Sequence, residues 1–242
     1  MEVHAHTHTP GKKWIHYLWE FFMMFLAVFC GFLAENEREH FVEHQREKQY
    51  IRSLIDNIKT DTTNIVQWIT RYEELKNYCD SALIFFPASS TVSDTWSRNI
   101  FSLLLGFPDF IYTDQTMQQL KNAGGLRLIR DKAAIDSIIA YDAAVRDILI
   151  EETVNSQYFD QLTNLTNNQF SYRKISDQAQ ASSLSSNEKS YWIHYDPVDI
   201  DKLYNVVYKY RFEVADFIGY LEKLKTRGTG LIGFLKKEYH LK

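Results

Sequence analysis

The run Trp14–Ala34, WIHYLWEFFMMFLAVFCGFLA, constrains this chain more than any other stretch. Its 21 residues hold one carboxylate, Glu20, and no Lys or Arg. At ~1.5 Å per residue a helix over it is ~31 Å long, against a hydrocarbon core of ~30 Å. Nothing else in the sequence is apolar for so long, so a single membrane span is expected, with the remainder on one side. Lys12 and Lys13 precede it as the basic region of a signal peptide would. Cleavage, however, needs small residues in an A-x-A-like pattern, and Phe32-Leu33-Ala34 does not supply them. Phe29 ahead of Cys30 argues equally against lipoprotein processing. The expectation is an uncleaved anchor.

Orientation follows from Lys and Arg near the ends, since acidic residues count little. Lys12, Lys13 and the free amine lie on the N-terminal side; Arg38, Arg46 and Lys48 lie beyond the span among five glutamates. The bias puts residues 1–13 in the cytoplasm of a bacterial cell and the large domain in the periplasm, anchored in the inner membrane.

Within the span, Glu20, Ala27 and Ala34 are seven apart, and Gly31 follows Ala27 by four. Ala27, Gly31 and Ala34 thus form a small-residue stripe along which two helix backbones can approach in lipid. Glu20 shares that face, and His16 lies one turn earlier. A carboxylate in a span is costly and by default a functional hypothesis. At about six residues, or ~9 Å, inside Trp14 it can also snorkel towards the headgroups. Two roles stand open: structural glue or snorkelling, and ion or proton handling.

Two patterns invite a metal. His4, His6 and His8 alternate in the tail, and neutral imidazole binds borderline divalent ions. Three ligands on a floppy chain leave coordination incomplete, so the tail is a weak candidate. His40-Phe41-Val42-Glu43-His44 matches H-x-x-E-H, but a zinc site needs a third ligand and a shaped cleft. Residues 35–49 read as a polar helical stalk, solvated all round, where a Glu- and His-rich helix meets the pattern by chance. No cofactor is expected. Gly124-Gly125 is not a phosphate loop, because no strand precedes it and no G-K-[ST] follows. A net charge of −4 and no basic face with interleaved aromatics exclude nucleic acid as a partner.

The rest reads as an all-α domain over residues 50–242. With only 9 Gly and 4 Pro, long helices with few tight turns are expected. Residues 50–86 show an apolar stripe of Ile51, Ile55, Ile58, Ile65, Ile69, Tyr72, Cys79, Leu83 and Phe86, spaced by three and four with Thr62 and Lys76 breaking it. Asp56, Lys59 and Asp61 on this helix are assigned to solvent or to caps. After a loop at Pro87–Ser93 come two short helices, one from Ser93 or Asp94 to Leu105, the other from Thr113 to the Gly124-Gly125 pair. Asp131 caps a long helix to about Asn168, with Ile135, Ile138, Ile139, Val145 and Ile148 among its apolar positions. Residues 171–195 are Ser-rich and expected as a loop, and Tyr191, Trp192 and Tyr195 there either fold back or form a contact patch. Asp196-Pro197 leads into a last helix, roughly Asp199 to Tyr239, which Gly228 and Gly230 bend or break. Cys30 and Cys79 are too far apart to pair.

Two stretches also resemble a known family. EFFMMFLAVFCGFLAENEREHFVEHQREKQYIRSLIDNIKTDT is similar to the N-terminal signature of a family of single-span membrane proteins from Bacteroidota, classed as a domain of unknown function. TMQQLKNAGGLRLIRDKAAIDSIIAYD resembles that family's second signature. Together they cover about a third of the chain. Glu20 falls where that family has its early glutamate. The resemblance implies location and architecture and no activity.

The sequence therefore predicts a non-enzymatic protein. One span runs on into a long helix, followed by an antiparallel helical bundle. Its partners would be the bilayer and either itself, as a homo-oligomer, or another envelope protein. An ion- or proton-coupled subunit acting through Glu20 is the alternative.

Overall fold

The computed structural model describes residues 14–86, 94–105, 110–174, 193–194 and 196–241. These are all-α. Five helices follow one another: α1 (Trp14–Ile84), α2 (Asp94–Leu104), α3 (Gln115–Asn122), α4 (Lys132–Gln169) and α5 (Pro197–Glu238), with a 3₁₀ turn, Gly125–Leu128, between α3 and α4. The chain divides into two compact units between Gln49 and Tyr50.

In the first unit α1 is long and apolar enough to cross a membrane. Every large apolar side chain from Trp14 to Leu33 is exposed. Apolar residues on all sides with no core to bury them are what a lipid-facing helix presents. Beyond them the surface turns polar, and Arg38 Nε and Nη2 donate to the Glu35 carboxylate at 2.9 and 2.5 Å. The expectation of a stalk solvated all round needs one correction. Glu47 is only 2 % exposed.

The second unit is a bundle. From Ile51 to Ala82, α1 buries Ile51, Leu54, Ile55, Ile58, Ile65, Tyr72, Leu75, Cys79 and Ala82. Ring pairs fix the direction of its neighbours. Tyr72 meets Phe217 of α5 at 4.7 Å and Phe86 meets Tyr204 at 4.9 Å, so α5 runs antiparallel to α1. Tyr158 of α4 stacks with Tyr210, and Arg227 Nη1 donates to the Ala140 carbonyl at 3.1 Å, so α4 and α5 are antiparallel too.

The segment between α1 and α4 returns along the bundle. Trp96 of α2 packs on Phe86 and Phe170 at one end. Phe110 packs on Trp68 further along, the Thr113 N–H donates to Asp61, and Gly125 approaches Tyr50. The order is up, down, up, down, with the second rod broken into α2, α3 and the 3₁₀ turn.

The ends follow the sequence signals. The Asp131 carboxylate accepts from the Ala134 N–H at 2.5 Å, and the Asp196 carboxylate from the Val198 N–H at 2.9 Å, with Pro197 in the first turn where its missing N–H costs nothing. Gly124 takes φ +69° after α3, the left-handed stop a glycine supplies.

Several expectations change. α5 runs unbroken through Gly228 and Gly230. Gly228 serves contact instead: a Cβ there would lie 2.9 Å from Thr62 Cγ2 and 3.2 Å from both Ile58 Cγ2 and Tyr141 Cε2. Ile139 is exposed rather than core, and α4 buries the polar side chains of Asn155, Thr166 and Gln169 towards its end. Residues 172–174 form a helical turn, and the Ile193 N–H donates to the Gln169 carbonyl at 2.7 Å, so the two ends of the expected loop are held together. The expected features at Pro87–Ser93, Tyr191, Trp192 and Tyr195 lie outside the described residues.

Candidate functional site

Two groupings carry polar chemistry in apolar surroundings. The first is in the apolar beginning of α1. His16 Nε2 lies 3.2 Å from Glu20 Oε1, one turn apart on α1. Ala27, Gly31 and Ala34 continue on Glu20's face at intervals of seven, four and three. Nothing lies within 4 Å of a Cβ built on Gly31, so the notch is open to a neighbouring backbone. Cys30, at the stripe's border, is exposed.

The second lies in the bundle, where α1, α3 and α4 meet. Asp61 is 2 % exposed and accepts the Thr113 N–H at 2.8 Å. Its assignment to solvent or caps is thereby corrected, whereas Asp56 and Lys59 do form an exposed pair at 3.0 Å. Burial raises the Asp61 pKa, and the Thr113 N–H pulls the other way. Asp142, 5 % exposed, accepts Lys121 Nζ at 2.6 and 2.7 Å and also pairs with Arg146 on its own helix. Asn57 Nδ2 donates to Thr116 Oγ1 at 2.9 Å. A small cavity lined by Asn57, Asp61, Tyr112, Thr113, Tyr141 and Asp142 joins these groups. Burial, and next the charge of Asp61, push the Tyr141 phenol up.

The carboxylates in this cluster answer to cations and a backbone donor, which makes the cluster a fastening. It ties the broken return rod to the long helices. The Tyr141 ring and Thr62 both pack at Gly228. Periodicity had a signal for the cluster. Asp61 stands three after Ile58 and four before Ile65, and Asp142 stands four after Ile138 and three before Val145. Both carboxylates occupy stripe positions.

A third polar group sits at the far end of α1. Asp80 pairs with Lys76 at 2.9 Å and with Arg211 of α5. Burial raises its pKa, but hydrogen bonds from Arg211 and Lys76 outweigh that and hold it below the usual carboxylate range. Beside it Cys79 is buried, and that burial pushes its thiol up to about 12. It is a core residue with no thiolate to react.

Of the metal candidates, His4, His6 and His8 lie outside the described residues. In the H-x-x-E-H stretch, His44 Nδ1 sits 3.2 Å from Glu47 Oε2, a residue the pattern does not include. Among the described residues no three His, Cys, Asp or Glu side chains are grouped to hold an ion.

Fold and site together define an all-α bundle whose first helix begins with a segment long and apolar enough for a membrane. The chain matches no family model, no curated protein and no solved structure.

Proposed function

We propose that this is a non-enzymatic, membrane-anchored helical protein that associates with a second copy of itself through the Ala27, Gly31 and Ala34 face of its span. The observation that carries the reading is the exposed apolar run from Trp14 to Leu33 with an open small-residue notch on one side. In lipid, helices gain by close backbone approach and by interhelical hydrogen bonds, and Glu20 on the same face offers one. The buried Asp61 and Asp142 are held by the Thr113 N–H and by Lys121 and Arg146, which fits a packing role. We place residues 1–13 in the cytoplasm and the bundle in the periplasm of the bacterial inner membrane, because Lys12 and Lys13 flank the span. The similarity to the Bacteroidota family fits this location. Another envelope protein could take the place of the second copy.

Oxidative crosslinking in native membranes tests the association. Cys79 is buried and unreactive, so any disulfide-linked dimer reports Cys30. A dimer band is expected, lost in Cys30→Ser and strongly reduced in Gly31→Leu. A wild-type chain that stays monomeric under oxidation contradicts the close-packed dimer.

The His16–Glu20 contact at 3.2 Å favours a second reading, proton or ion coupling through Glu20 with a partner. Glu20→Gln separates the two. Loss of an ion flux with the dimer intact supports coupling; loss of the dimer supports a packing role.

A further inference from the structure

We propose that the groove between the membrane-proximal turns of the bundle part of α1 and the end of α5 binds a phosphate ester, with the phosphate on Arg52, Lys236 and His240. This site is independent of how the span associates.

The groove has a volume of about 480 Å³. That falls within the range of small-molecule sites, roughly 300–1,000 Å³. Its wall is cationic: Arg52 and Lys59 come from α1, Lys236 from the last turn of α5, and His240 from just beyond it. Asp56 is the one carboxylate among the described lining residues, and Lys59 already holds it at 3.0 Å. Arg52 and Lys236 thus line one groove from opposite ends of the domain's sequence, with no second carboxylate among the described lining residues. Like charges so placed repel, and an anion between them removes the repulsion. An arginine fork with a lysine suits the tetrahedral oxygens of phosphate. Ile55 and Leu241 give the groove an apolar strip for the organic part of an ester.

His240 supplies a second observation. Its φ is +52°, the sole positive value at a non-glycine residue among those described. It follows α5 at the left-handed stop, where glycine or asparagine is usual. The Leu241 N–H donates to the Lys236 carbonyl at 2.9 Å and the His240 N–H to the Lys237 carbonyl at 3.4 Å. A histidine at a place that favours glycine costs stability, and strain of this kind collects at binding sites. The same two hydrogen bonds occupy helix-end carbonyls that would otherwise repel an anion.

The phosphate could belong to a soluble monoester or to a lipid headgroup, and one experiment separates them. The full chain is placed in phosphatidylcholine nanodiscs and titrated with glycerol 3-phosphate by calorimetry, with glycerol as control. In parallel its unfolding midpoint is compared with and without one third phosphatidylglycerol. Variants are Arg52→Gln/Lys236→Gln, each single change, and Lys225→Gln elsewhere on α5 as control. Saturable glycerol 3-phosphate binding, at least tenfold weaker in the double variant and unchanged in Lys225→Gln, establishes the site with a soluble ligand. A midpoint raised by phosphatidylglycerol in wild type but not in the double variant, with glycerol 3-phosphate silent, establishes it with a headgroup. If the double variant does not fold, each single variant must weaken the active ligand several-fold. If wild type responds to neither ligand, or the variants respond as wild type does, the proposal is overturned.

Discussion

Asp61 shows what a single residue contributes here. It takes a stripe position of α1 that Ile58 and Ile65 would lead one to fill with a hydrocarbon, and it uses its buried oxygen to hold the Thr113 N–H. Its raised pKa sets the sign of a pH effect. A carboxylate that binds its proton more readily folded than unfolded is a net cost when ionised, and the fold gains stability as pH falls through the raised value towards the unfolded ~3.9. Asp61→Asn keeps an acceptor without the charge. Its unfolding midpoint should equal or exceed wild type at pH 7, with a smaller gap at a lower pH. Asp61→Ala leaves a buried N–H unpaired and should lose about 1–3 kcal/mol at both pH values. Asp80 has the opposite slope. Its lowered pKa adds stability at neutral pH that is lost as pH falls through the depressed value. Asp80→Asn should therefore be less stable than wild type at pH 7, by no more than about 1 kcal/mol for a half-exposed pair. It should match wild type in strong acid. Thermal melts of the chain in nanodiscs across pH read both. Sequence reasoning assigned Asp61 to solvent or to a cap because polar residues three and four apart on a helix usually form a wetted face; its partner, Thr113, is 52 residues away and invisible to periodicity.

Among the elements, α5 carries the sharpest contrast. Gly228 and Gly230 are two apart and point to different surroundings. At Gly228 a Cβ would press on Thr62, Ile58 and Tyr141, while at Gly230 nothing lies within 4 Å. Gly228→Ala should lower the melting temperature by an overpacking cost of about 1–3 kcal/mol. Gly230→Ala should raise it through helix propensity, by roughly 0.5–1 kcal/mol. Equal effects of the two would contradict the close crossing of α1, α4 and α5. From sequence alone both glycines read as a bend, since propensity sees glycine's local cost and not the neighbour that demands it. The helices themselves were legible. The Asp131 and Asp196 caps and the Gly124 stop coincide with the ends of α4, α5 and α3. What periodicity could not give is direction. The return of α2 and α3 along the bundle depends on ring contacts such as Trp68 with Phe110, and those are long-range.

For the whole molecule, everything depends on where the apolar beginning of α1 resides. The bundle buries an apolar stripe on each of α1, α4 and α5, whereas Trp14 to Leu33 present tryptophan, phenylalanine and leucine on every side. Burying each such side chain is worth roughly 1.5–3 kcal/mol, and lipid is the medium that can accept a whole span of them. The candidate site splits along the same line. Glu20 and the stripe could be read from the sequence because a span has one periodicity and few polar residues. The Asp61–Asp142 cluster and the Arg52–Lys236 groove each gather side chains from separate helices. Alkaline-carbonate extraction of membranes from cells making the full chain is the most direct measurement. The chain should remain in the membrane pellet at full length, and a version lacking 14–34 should move to the supernatant. Intact, full-length chain in the carbonate supernatant would contradict the membrane anchor and the association proposed through it.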